Sequence, residues 1–95
     1  SDSFYRFRHA LYRRALKQRL PPPRLRSLHR RIGESLEAAY GDSAAEIASQ
    51  LLSHFEACED LGRQVRYHQA AAAGAASRFA YQDAIAHIEA ALALN

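Results

Sequence analysis

The sequence predicts an all-α chain, and three observations carry that expectation. Apolar residues recur at the 3.6-residue spacing of amphipathic helices over most of its length. Proline and glycine are few, three and four among 95 residues, and fall where one periodic stretch gives way to the next. The composition is rich in alanine, with no Trp or Met, as suits close helix packing. Ninety-five residues make one domain with a single core.

The elements follow in order. Phe4–Arg8 alternates Tyr5 and Phe7 with Arg6 and Arg8, a strand-like pattern too short to separate from a helix start. From His9 to Leu20 the spacing of Leu11, Ala15 and Leu16 predicts a helix, which Pro21-Pro22-Pro23 must stop. Pro22 or Pro23 can then stand in the first turn of the next helix, where no backbone N–H is needed. Over Pro22–Tyr40, Leu25, Leu28, His29, Ile32, Leu36, Ala39 and Tyr40 share one arc of roughly 120°. Arg26, Arg30, Glu34 and Glu37 point away from it, with the two glutamates near enough to pair with Arg30 and Arg31. Gly41 is the expected stop.

Ser43-Ala44-Ala45-Glu46 has the spacing of a capping box, and the helix it would open buries Ile47, Leu51, Phe55 and Cys58. Asp60 is the expected N-cap of a helix over Leu61–Arg78. Leu61, Val65, His68, Ala72, Ala75 and Phe79 should form its buried face, and Ala70, Ala71, Ala73 and Gly74 let neighbours approach its other sides. A last helix, Tyr81–Leu94, packs through Ala84, Ile85, Ile88, Ala91 and Leu92, and keeps an apolar face that a further helix would have to cover. About five helical segments joined by short turns predict an antiparallel α-hairpin array. The expected layout is a basic helical segment over 1–41 and a second group of helices over 42–95, packed as one domain.

Charge is unevenly spread. Residues 1–41 hold ten Lys/Arg and three acids, net +7, whereas 42–95 hold three Arg and seven acids, net −4. Such a chain faces an acidic surface, nucleic acid or its own neighbouring domain. The candidates for phosphate or acidic-surface contact are Arg13, Arg14, Lys17, Arg24, Arg26, Arg30 and Arg31. Six phosphate contacts would give a log–log salt slope near −5, roughly. No polar base-reading helix accompanies the basic face, so nucleic-acid binding is the second reading. The longest run of small or apolar residues, Ala70–Ala76, falls far short of the roughly 20 needed to span a bilayer. No leader sequence opens the chain and a lone Cys58 makes no internal disulfide, which together predict a cytoplasmic protein.

Catalytic candidates are poor. His54 and Cys58 have the spacing of half a zinc site, but no second pair stands nearby. His54 is therefore read as a surface or boundary residue and Cys58 as a small core residue. His9, His29, His68 and His87 occur singly. The glycines at 33, 41, 62 and 74 lie too far apart to cradle a phosphate, and no G-x-x-x-x-G-K-[ST] is present. The chain is read as non-catalytic, with no cofactor and no metal.

Two features resemble a known family. Tyr81-Gln82-Asp83-Ala84-Ile85, followed by Ile88, Ala91, Leu92 and Leu94, is similar to the second helix of a tetratricopeptide-type repeat. Leu61, Gln64, Val65, His68 and Ala71 echo Tyr81, Ala84, Ile85, Ile88 and Ala91, but 20 residues apart against a family period of about 34. The order Phe7–Leu11, Leu28–Glu37, His54–Ala57 and Val65–Tyr67 resembles the segment after the nucleotide-binding module of bacterial signal-transduction (STAND-type) ATPases, including those fused to cyclase or DNA-binding effector domains. The resemblance implies the tail of a winged-helix region leading into a degenerate, right-handed tetratricopeptide-like stack, excised from a longer regulator of transcription or signalling. Its expected partners are a protein segment or small ligand, neighbouring domains of the same chain, or a second copy docked on the terminal helix. The expected contact residues are exposed positions on the later helices: Arg63, Arg66, Tyr67 and His87.

Overall fold

A computed structural model describes residues 2–18 and 21–94, with the side chains of 2, 4, 5, 12 and 15–18 left aside. Every regular element among these residues is helical: α1 (Asp2–Gln18), α2 (Pro22–Tyr40), a 3-10 segment (Gly41–Ile47), α3 (Ala48–Ala57), α4 (Leu61–Ser77) and α5 (Tyr81–Ala93). Phe4–Arg8 is thus helical and belongs to α1. The expected end of that helix at Leu20 and the packing of Ala15 and Leu16 fall outside the described residues. No described helix is long and apolar enough to cross a membrane.

α2 begins as its prolines require, with Pro21 extended before it and proline in its first turn. It buries His29, Ile32, Gly33 and Leu36, close to the expected stripe, although Ala39 is exposed. Gly41 ends it at φ 51°. The capping box does not form. Ser43 and Glu46 lie within the 3-10 segment, α3 starts only at Ala48, and Ile47 stands at its N-cap position with no side-chain cap. The tighter turns place Ser43 too far from the new helix start to meet its free N–H groups.

The turns α3–α4 and α4–α5 share one geometry. Glu59 and Phe79 have φ of 61° and 62°. Asp60 N–H bonds Phe55 O and Glu59 N–H bonds Glu56 O; Ala80 N–H bonds Ala75 O and Phe79 N–H bonds Ala76 O. Both are Schellman stops, in which a left-handed residue turns the chain out of the helix and satisfies its last carbonyls. Asp60 then caps α4 as expected, its carboxylate accepting from Arg63 N–H at 3.0 Å.

The main core joins Ile32 and Leu36 of α2, Leu51, Leu52, Phe55 and Cys58 from α3 and its turn, and Tyr67 of α4. Gly33 allows this closeness, since a Cβ there would stand 2.7 Å from Phe55 Cζ. A second, smaller cluster holds only alanines: Ala72 and Ala75 of α4 with Ala84 of α5. α2 and α4 lie side by side in the same direction, because Arg30 meets Asp60 while Glu37 meets Arg63 and Tyr67. α4 and α5 run oppositely, His68 facing His87 while Ala75 clusters with Ala84.

α4 keeps part of the face its periodicity suggested, with Ala72 and Ala75 buried and Val65 and His68 half-buried, and adds a second buried stripe. Gln64, Tyr67, Ala72 and Ala75 are buried, whereas Leu61 and Phe79 are exposed, Phe79 at 76%. A helix with neighbours on both sides needs two buried stripes. Gln64 occupies one of them by donating its amide to Phe55 O at 3.2 Å. On α5, Ala84 and Ala91 pack inward, but Ile85, Ile88 and Leu92 remain exposed.

Candidate functional site

The residues expected to meet a partner separate once placed. Tyr67 is not a surface residue: only 4% of it is exposed, its ring stacks on Phe55, and its hydroxyl donates to Glu37. Burial, and then the Glu37 carboxylate, raise its hydroxyl above the usual tyrosine range. Arg63 is half-buried and bonds Glu37 at 3.1 Å, Glu34 at 3.4 Å and Asp60 at 3.0 Å, with its guanidinium 4.7 Å from the centre of the Phe55 ring. Burial opposes that charge, but the three carboxylates outweigh it and hold the guanidinium above its ordinary range. Asp60 is held below the usual carboxylate range, mainly by the Arg63 N–H and then by Arg63 and Arg30. These residues strap α2 to α4. Arg66 is exposed, 3.9 Å from Glu37. His87 lines an open groove.

Arg13, Arg14, Arg24, Arg26 and Arg31 are exposed, whereas Arg30 is committed to Asp60 at 2.9 Å. The expected pairing of Arg30 and Arg31 with Glu34 and Glu37 gives way to the interhelical pairs. The Lys17 side chain lies outside the described residues.

His54 is not at the surface. It is buried with His29 and Arg8 in a chain crossing three helices. Arg8 Nη1 stands 3.1 Å from His54 Nε2, and His54 Nδ1 stands 3.0 Å from His29 Nδ1. A guanidinium only donates, so His54 Nε2 accepts; the neutral ring then carries its proton on Nδ1 and donates to His29. Burial, followed by the nearby His29 and Arg8, pushes His54 down to about 4, and burial lowers His29 as well. Cys58 is buried and free, as a small core residue. Among the described residues, no group of three or more His, Cys, Asp and Glu is placed to hold a metal.

A second histidine pair repeats the first. His68 Nδ1 lies 3.0 Å from His87 Nδ1, with ring centres 5.3 Å apart, against 5.2 Å for His29 and His54. His29 and His68 are each the eighth residue of their helices, α2 and α4, and His54 and His87 each the seventh, of α3 and α5. Counting positions from each helix start would have paired the lone histidines; the 20-residue echo compared a first helix with a second.

His87 lies on a groove of about 380 Å³ between the 3-10 segment, α3, α4 and α5. Ala70, Ala71 and Gly74 provide its small-residue floor, and Glu46, Arg78 and Asp83 its charges. A cleft of about 240 Å³ lies between α1 and α2. No family model, curated protein or solved structure matches the chain.

Proposed function

We propose that this chain is a non-catalytic protein-interaction and coupling module of a larger regulatory ATPase or transcriptional regulator, built as a degenerate tetratricopeptide-like stack of α-hairpins. The observation that carries this reading is the apolar face of α5. Ile85 and Ile88 occupy the fifth and eighth positions of their helix, as Leu52 and Phe55 do in α3. In α3 those residues are buried, with Phe55 stacked on Tyr67 of α4; in α5 they are exposed. A helix standing to α5 as α4 stands to α3 would bury them. The matched histidine pairs and the shared turn geometry support the same repeat. Partner binding in the groove or on this face would reorient neighbouring domains.

The test is selection of binders from a displayed random-peptide library, followed by rescreening on Ser49→Trp, at the groove, and Ile88→Asp, on the α5 face. Peptides retained by the wild type and lost by either variant are the expected result. Peptides indifferent to both variants, or no enrichment, would overturn the reading. Light scattering over a concentration series distinguishes a second copy on α5, which Ile88→Asp would release as monomer.

The exposed Arg13, Arg14, Arg24, Arg26 and Arg31 favour a second reading, an accessory nucleic-acid-binding module. Under it, Arg24→Gln, Arg26→Gln and Arg31→Gln together lower duplex DNA affinity uniformly across sequences and flatten its salt slope. An unchanged slope would remove it.

A further inference from the structure

The two histidine pairs differ in what stands beside them. In the first, Arg8 donates to His54 and lines the α1–α2 cleft with Arg31, Ile32 and Ser35. Counted from the start of each helix, those three positions of α2 correspond in α4 to Ala70, Ala71 and Gly74. These form the floor of the groove beside His87. What a guanidinium occupies next to one histidine pair is open volume next to the other.

The chemistry around that volume suits the same occupant. His87 turns Nδ1 to His68, as His54 does to His29, which leaves Nε2 as its remaining polar edge. Asp83 lies one turn before His87 at a position held in α3 by the uncharged Gln50, and Glu46 adds a second carboxylate. Alanine, glycine and Ser49 on the walls leave room for a chain to approach. Resting on the interaction reading above, we infer that this groove receives an arginine side chain of a partner polypeptide, whose guanidinium donates to His87 Nε2 and pairs with Glu46 and Asp83. A planar guanidinium reaches an imidazole and two carboxylates at once with its fixed fork of donors, which a lysine ammonium does not match. Arg78 shares the rim, with its Nη1 3.4 Å from where a Cβ on Gly74 would stand.

The test is an NMR titration of the isotope-labelled chain with N-acetyl-arginine amide and, separately, N-acetyl-lysine amide. Arginine is expected to give saturable shifts of the His87 imidazole and the Ser49 amide, with lysine binding about tenfold weaker. His87→Ala and the pair Glu46→Gln with Asp83→Asn should each weaken arginine binding by about tenfold or more. Glu46 and Asp83 are exposed, so their exchange leaves the fold to be checked by an unchanged amide spectrum. Arg78→Ala should leave binding in place. No saturation up to tens of millimolar, equal response to lysine, or binding that appears only once Arg78 is removed would overturn the proposal. Selected peptides that need the groove but no arginine would remove this inference and leave the interaction reading standing.

Discussion

At the scale of single residues, His54 governs how the chain answers acid. Its folded pKa of about 4 lies below the ordinary 6.5, so the unfolded chain binds the extra proton first. Stability is then full above pH 6.5 and declines as pH falls toward 4, by on the order of 2–3 kcal/mol for this group. Urea midpoints measured across that window should fall steeply for the wild type and more shallowly for His54→Gln, which cannot titrate. Gly33 is the second sensitive residue. Gly33→Ala gains helix propensity but drives a methyl into the Phe55 ring, and the clash should win by about 1–2 kcal/mol. Adding Phe55→Leu should recover part of the loss in the same denaturation assay. The equivalent position in α4 is already alanine, Ala72, where Ile88 rather than phenylalanine stands at the matching site of α5.

At the scale of elements, the two turns invite a direct comparison. Glu59 and Phe79 both adopt a left-handed conformation that side chains disfavour by about 1 kcal/mol. Phe79→Gly and Glu59→Gly should each raise stability by about 0.5–1 kcal/mol, read as a higher thermal midpoint. The helices themselves were legible because apolar spacing reports one buried face well. α2 follows its pattern for that reason, and Asp60 caps where its position says it should. Apolar spacing reports less where a helix has two neighbours and buries two stripes. Tyr67 reads as exposed opposite Leu61 and Val65, yet a stacked Phe55 and a carboxylate at Glu37 make its place interior. The Ser43 cap depended on a helix start that the 3-10 turns moved to Ala48. The histidine pairs are invisible to local reading, because each ring finds its partner on another helix.

At the scale of the whole molecule, the two core clusters are unequally packed. Leu36, Leu51 and Phe55 are almost wholly enclosed around the first, while the second joins α4 to α5 through alanines. Alanine methyls bury little area each, so opening α5 costs far less than separating α2 from α3. Native-state hydrogen exchange should show α5 amides exchanging through local opening well before those of α2 and α3. Ligands of the groove should slow α5 exchange selectively, since they bind only the closed form. Uniform protection across all helices would contradict this arrangement.

That imbalance also bears on how the chain is made. During synthesis α2 and α3 emerge before α4 and α5, and their large side chains lie close together in sequence. Contacts of short range form early and need no partner still inside the ribosome. The α2–α3 contacts can therefore form first; Tyr67 of α4 completes that core against Phe55 as it emerges, and α5 settles last through its alanines. A fold whose weak half was translated first would have left its alanines waiting for a core; here the order of translation and the order of packing strength coincide.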